Sequence, residues 1–540
     1  MNTILTRLLL MGATALSSLA ADYDSIAPSL DAAVEAEMDA WGITGVSVAL
    51  VDDQETVYSK GYGVATTKSI FRAGSVSKLF NALAVMQQVE AGNLDLDAPI
   101  DPETLPINPF PDQPAITLRH LLSHRSGLQR EAPVGGYLDD SEPGIAATVD
   151  SIRESVLVTR PGEKTRYSNI APTFAGHLVE QASGDDFESY QQRHILQPLG
   201  MASSSWTRAN TPEDRLIVSN MRVADGQGGW GRQPCPVFDL GTIPAGNLFT
   251  TAEDLARFAS ALIAGGKGVV SQETLERMWT PQFTESQTGF GLAFVVGNAH
   301  GRRTVGHSGA VYGHSTSFVV LPETKIAVIV IGNEDIANGR IRAIHDVALK
   351  LMLNAKMDAG LALTRDTSLA GDLTDFVGAF ESKSYWAELS VKDGALVGDV
   401  SGQPTRFPPK GQDAFIANSR IYFDAQVSFT RNASGTVIGF QLAGQEFSRV
   451  SDNPPSLPAP WRAMLGSYGL DFIPVIITER HGRLYAMTEN MVDYRLTPMN
   501  RYVCALPPGM YIDEEVVFLP DASGAIHAID YANMIFHRRD

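Results

Sequence analysis

The sequence predicts an α+β unit, an antiparallel sheet flanked by helices, followed by two small antiparallel β-barrel domains. Three observations carry that reading. Strand-like apolar runs alternate with segments of helical spacing through residues 21–365. Past that point the texture changes to short strands and turns. Within this tail the chain repeats itself. Gly378, Gly394, Phe429, Gly435, Phe447 and Arg449 recur as Gly466, Gly482, Phe518, Gly524, Phe536 and Arg538, an offset of 88 residues that becomes 89 after one insertion.

The elements follow in order. Arg7 precedes the apolar run Leu8 to Leu16, and Ser18-Leu19-Ala20 has the small-x-small pattern of a signal-peptidase site, so residues 1–20 are expected to be a signal peptide. The alternative is an apolar first helix of the mature fold. Gly45 to Val51 and Glu55 to Gly61 read as paired strands around the turn Asp52-Asp53-Gln54. From Ser75 onward Leu79, Ala82, Leu83 and Met86 recur at helical spacing, and Gly92 stands where a C-terminal cap would end that helix. Thr250-Thr251-Ala252-Glu253 resembles a capping box opening an amphipathic helix from Asp254 to Ala264. Thr304 to Gly309, Thr316 to Leu321 and Ile326 to Ile331 are strand-like, and a helix around Ile341 to Leu353 closes the unit. The tail divides into residues 366–452, a proline-rich linker at 453–461 with Pro454, Pro455, Pro458 and Pro460, and residues 462–540.

Composition bounds the function. The chain has 540 residues, 44% of them hydrophobic, enough for two to four domains. A formal net charge of -19 and the lack of any Lys/Arg run argue against nucleic acid as a partner. No later stretch reaches the length of a membrane span, so an exported protein, periplasmic or secreted, is expected. No motif specifies an oligomeric state. Cys235 and Cys504 are the only cysteines, and their separation favours two independent thiols over a bridge.

Ser75-Val76-Ser77-Lys78 places a hydroxyl and an amine three residues apart at the start of a helix, where both project from one face. Serine is a poor nucleophile until a neighbouring base takes its proton, and a desolvated lysine has a lowered pKa. Alone, the pattern is more often a helix cap with a surface lysine. Tyr167-Ser168-Asn169 adds a phenol, which as a phenolate near ammonium groups could share the base role. Its carboxamide could orient the lysine or hold a substrate amide. His307-Ser308-Gly309-Ala310 lies on a predicted strand, where Gly309 would let a substrate backbone approach the sheet edge. The Ala310 N-H is a candidate oxyanion donor beside that of Ser75. A lone histidine on a strand is usually structural, and here the order Ser-x-x-Lys, Tyr-x-Asn, His-x-Gly gives it weight.

With these motifs, and with Thr117 to Leu128 (TLRHLLSHRSGL) and Ala245 to Leu255 (AGNLFTTAEDL), residues 40–355 resemble the serine β-lactamase and penicillin-binding protein superfamily in its class C-like peptidase and esterase branch. The resemblance implies Ser75 as nucleophile, Lys78 and Tyr167 as the proton-transfer pair, and Asn169 as a positioning residue. It also places His307 and Gly309 on the strand bordering the site, and implies no metal or organic cofactor. Members that bind penicillin carboxylates usually carry lysine where His307 stands. His-x-Gly with two C-terminal barrels instead resembles the D-aminopeptidases, and length and signal resemble the bacterial peptidases of linearised microcystin. A small peptide or ester substrate is therefore expected, with an esterase, a weak β-lactamase or a non-catalytic sensor as the rival readings.

Three other features have plain explanations. His120 and His124 have i, i+4 spacing but Leu121 stands where a zinc peptidase needs Glu. Asn432-Ala433-Ser434 matches a glycosylation triplet but reads as a turn. The glycine-rich Gly226 to Gly231 reads as a loop near the site.

Overall fold

Gly45 to Val51 is apolar at nearly every position, which suits a strand buried on both faces. In the computed structural model this run is the strand β1 (Gly45–Asp52), one in from the edge of a large antiparallel sheet. The structure describes all residues except 1–20, 111, 113, 225–229, 364–371, 452, 489, 490 and 540, and counts of elements refer to the described residues. The expected signal peptide, the boundary near residue 365 and most of the Gly226 to Gly231 run thus lie outside the described residues. Gly231 itself falls in the strand Trp230–Pro234.

A helix α1 (Ala27–Trp41) precedes β1, with Leu30 and Val34 fully buried and Pro28 in its first turn. The sequence reading passed over it. After β1 come β2 (Glu55–Gly63), α2 (Ser77–Glu90), α3 (Ile170–Ser183) and α4 (Ala252–Ile263). The remaining strands are β3 (Gly289–Phe290), β4 (Val295–Ala299), β5 (Arg302–Val311), β6 (His314–Leu321) and β7 (Ile326–Gly332), and the helix α5 (Asn338–Met357) closes the unit. The sheet order is β2-β1-β7-β6-β5-β4-β3.

Alternation along the central strands sorts their side chains between two cores. Ala49 and Val51 of β1 join Ile329 and Ile331 of β7 against α2, α3 and α4. Val46, Val48 and Leu50 join Val328 and Val330 against α1 and α5. The capping box is displaced by one residue. The Thr251 hydroxyl accepts from the Asp254 amide, so α4 starts at Ala252, and Glu253 instead accepts from Ser59. No helix among the described residues is long and apolar enough to cross a membrane.

The repeat is a structural duplication. Eight strands between Gly378 and Arg449 form one antiparallel sheet, whose edges meet through a bridge between Arg406 and Asn418, making a nearly closed barrel. In the second copy the corresponding strands form sheets of four and five, joined by a bridge between Tyr468 and Arg538. Gly378 and Gly466 have φ of 145° and 150°, and each lies under the guanidinium of the paired Arg449 or Arg538. The linker is not a free spacer. Leu457 is buried in the second copy's core, Ala459–Arg462 is a short helix, and Gly482 packs against Pro455.

That core extends into the first unit. Leu138, Phe238, Leu240, Val311 and Tyr312 are buried in one cluster with Tyr468, Leu506, Tyr511 and Val516. Cys235 and Cys504 are both free thiols at this cluster, with burial pushing each up to about 12. Asn432 forms the expected turn, its side-chain oxygen accepting from the amides of Ser434 and Thr436.

Candidate active site

Ser75 sits in a single 3₁₀ turn, Gly74–Val76, that leads directly into α2. This turn abuts β5 between residues 307 and 311, where β4 has ceased to pair and leaves the strand edge open. Two glycines set the approach. Gly74 has φ 55°, and a β-carbon there would stand 2.7 Å from the Ala310 nitrogen. A β-carbon on Gly309 would stand 1.9 Å from the Ala73 carbonyl oxygen. The space beside Gly309 is thus filled by the protein's own backbone, which corrects the expectation that a substrate backbone would occupy it. Ser308 and Ala310, on either side, line the cavity instead.

Lys78 is one turn along from Ser75 and fully buried. Its Nζ donates to Ser75 Oγ at 2.9 Å, Asn169 Oδ1 at 2.8 Å and the Ala245 carbonyl at 2.7 Å, which uses every donor of an ammonium group. Burial holds its pKa well below the usual lysine range, partly offset by Glu131 and assisted by Arg130. With its proton lost, the amine keeps two donors for Asn169 and Ala245 and has a lone pair for Ser75 Oγ, whose proton it can then take. Asn169 donates its Nδ2 to Glu131 Oε1 at 2.5 Å, so both ends of its carboxamide are engaged within the protein. That geometry favours the lysine-orienting alternative over substrate binding.

The Tyr167 side chain faces Ser75 in the same cavity, and its ring lies 5.0 Å from Lys78 Nζ. Burial pushes the phenol up to about 12, against smaller lowering by Ser75 and Arg130. The resting side chain is a phenol, which corrects the expected phenolate. The desolvation penalty exceeds the pull of the neighbouring cations. His307 Nδ1 donates to the Ser308 carbonyl at 2.5 Å, leaving Nε2 as an acceptor without a partner among the described residues. Burial, with help from Lys78, lowers His307 to about 4, so the imidazole is neutral at pH 7.

Ser75, Tyr167, Asn169, His307 and Ala310 meet around a cavity of about 310 Å³. Its far wall is Ile421 from the first repeat copy and Met510 from the second. A larger groove of about 1410 Å³ runs beside Trp41 but holds none of these residues, so we place the site in the smaller cavity.

Several residues of the site went unread in the sequence. His124 was given a plain explanation, yet its ring stacks on Tyr167 at 4.2 Å and its Nδ1 accepts from the Ser168 amide, whereas His120 pairs with Thr117. Arg130, Glu131 and Arg166 stand beside Tyr167 and Asn169. Glu131 stands three residues past the Ser126-Gly127-Leu128 run, and its burial at 0% exposure is the signal that only structure supplies. Glu514 of the second copy pairs with Arg166 in the interior. Burial raises its carboxyl, while Arg166 and Arg130 oppose the rise.

A serine on the turn before α2 and a buried lysine one turn on, facing an open strand edge, are the arrangement of the β-lactamase-like fold. The chain belongs to the β-lactamase family, whose model matches residues 30–350. It is 26% identical over 327 residues to Unguisins hydrolase ungD' of Aspergillus campestris, covering 56% of this chain and 60% of that protein. Other relatives bear penicillin-binding protein, esterase and carboxypeptidase names. Among solved structures, the octameric penicillin-binding protein homologue from Pyrococcus abyssi aligns with TM-score 0.57 and 22% identity, over 87% of this chain and 99% of that one. The D-amino acid amidase from Ochrobactrum anthropi SV3 aligns with TM-score 0.50 and 26% identity, over 60% of this chain and 99% of that one.

Proposed function

We propose that this protein is an exported serine peptidase of short linear or modified peptides, acting through an acyl-enzyme on Ser75. The observation that carries the reading is the Ser75–Lys78 hydrogen bond at 2.9 Å inside a cavity of about 310 Å³ walled by both repeat copies. Such a space suits a short chain better than a folded protein. The neutral His307, where a fixed cation would hold a penicillin carboxylate, supports peptides over β-lactams. The similarity to a D-amino acid amidase agrees with it.

In the reaction, neutral Lys78 takes the Ser75 proton as Oγ attacks the carbonyl carbon. The Ser75 and Ala310 amides receive the oxyanion. Tyr167 donates its phenolic proton to the leaving nitrogen as the C–N bond breaks, and regains one from Lys78. Water then attacks the ester, giving a proton to the same pair, which returns it to Ser75 Oγ as the Oγ–C bond breaks and the acid leaves. Asn169 and Glu131 hold Lys78 in place.

The test is a panel of linear L-peptides, D-amino-acid amides, short-chain esters and a chromogenic cephalosporin, compared by kcat/KM. Peptide or amide turnover should dominate; dominant ester or cephalosporin turnover would replace the peptidase reading. Ser75→Ala should lose about 10,000-fold or more in kcat. A fluorophosphonate should add its mass to Ser75, and an unlabelled Ser75 would indicate a non-catalytic sensor.

A further inference from the structure

The second repeat copy does more than wall the cavity. Glu514 and Arg166 form an ion pair with side chains only 2% and 1% exposed. Arg166 is the residue before Tyr167. The same Glu514 oxygen, Oε1, accepts the backbone amide of Arg130 at 3.2 Å. Arg130 in turn precedes Glu131, which holds Asn169. One carboxylate therefore touches both the segment that presents Tyr167 and the segment whose Glu131 holds Asn169, the partner of Lys78.

Those segments are laced to each other. The Arg166 amide donates to the His124 carbonyl and the Asn169 amide to the Arg130 carbonyl, each at 2.7 Å. The Arg130 guanidinium lies 5.5 Å from the Tyr167 ring and 5.5 Å from the ring of Tyr511, three residues before Glu514. A second ion pair between the same two parts, Lys164 with Asp513 at 2.6 Å, stands at the rim with side chains 40% and 37% exposed.

We infer that Glu514 is a positioning residue for catalysis: its carboxylate clamps the Arg130 and Arg166 segments together and thereby fixes the Tyr167 hydroxyl against Ser75. The inference rests on the assignment of Tyr167 to proton transfer. A buried ion pair adds little net stability over an apolar pair of similar volume, so orientation is the better account of it here. Small misplacements of a reacting group cost up to about 100-fold in rate.

The experiment uses the full chain, with p-nitrophenyl acetate turnover and fluorophosphonate labelling of Ser75 as readouts. Glu514→Gln should lower kcat and the labelling rate by about 10- to 100-fold with KM changed less than about twofold. Lys164→Ala should leave both at the parent value. Because an unpaired Arg166 inside the protein can block folding, the double variant Arg166→Met, Glu514→Met restores an apolar fit. It should fold and stay slow; parent rates in the folded double variant, or in Glu514→Gln, would overturn the inference. In a Tyr167→Phe background Glu514→Gln should add less than about twofold. A full additional loss there would also overturn it. Parent rates in Tyr167→Phe alone would remove the Tyr167 assignment, a failure distinct from that of Glu514.

Discussion

A methyl group at Gly309 has nowhere to go, because the Ala73 carbonyl oxygen already occupies that volume at 1.9 Å. Gly309→Ala should push β5 away from the Ser75 turn, lowering stability by about 1–3 kcal/mol in urea denaturation and sharply slowing fluorophosphonate labelling. His307 governs a different property. His307→Lys restores a cation at the strand edge, and kcat/KM for a carboxylate-bearing cephalosporin should rise about tenfold relative to a neutral ester. The pH dependence follows from Lys78. Its folded pKa is depressed, and its neutral form is the base, so the labelling rate should climb as pH rises through that pKa. A rate that falls with rising pH over this limb would exclude Lys78 as the base. The candidate residues themselves were legible because their order along the chain is informative where each motif is not. Glu131 and Glu514 were not, since what marks them is burial against charged partners, and no local spacing encodes that.

Single elements show what local patterning can and cannot supply. The repeat shows in six recurring positions, and two of them form one device in each copy: an arginine lying over a glycine of positive φ. Arg449 donates to the Val437, Val377 and Asp375 carbonyls, while Arg538 donates to those of Ala463, Leu465 and Ile526. Arg449→Ala and Arg538→Ala should each cost about 1 kcal/mol or more of stability, measured by urea unfolding, with the first leaving the labelling rate of folded protein unchanged. Helix α1 was passed over although Pro28 stands in its first turn, because its apolar residues include many alanines that make its buried face faint in sequence. The displaced start of α4 has a similar cause. Two adjacent threonines offer alternative caps, and only the Thr251 hydroxyl reaches the Asp254 amide.

At the scale of the whole molecule, the cluster that unites Val311 and Tyr312 with Tyr468 and Tyr511 ties the catalytic strand to the end of the chain. A protein ending at residue 452 would leave that apolar surface in water. It should be poorly soluble, and any soluble fraction should label Ser75 far more slowly than the full chain, as mass spectrometry would show. The amphipathic patterns revealed two kinds of fold in series, but not that the last strands share a core with the first unit, since contacts of that sequence separation leave no periodic trace. The Arg166–Glu514 pair spans 348 residues of chain. During synthesis, that contact has to wait until residue 514 has emerged, and long-range contacts of this kind form late in folding. By the inference drawn for Glu514, the loop that carries Tyr167 gains its clamp only once residue 514 has been made.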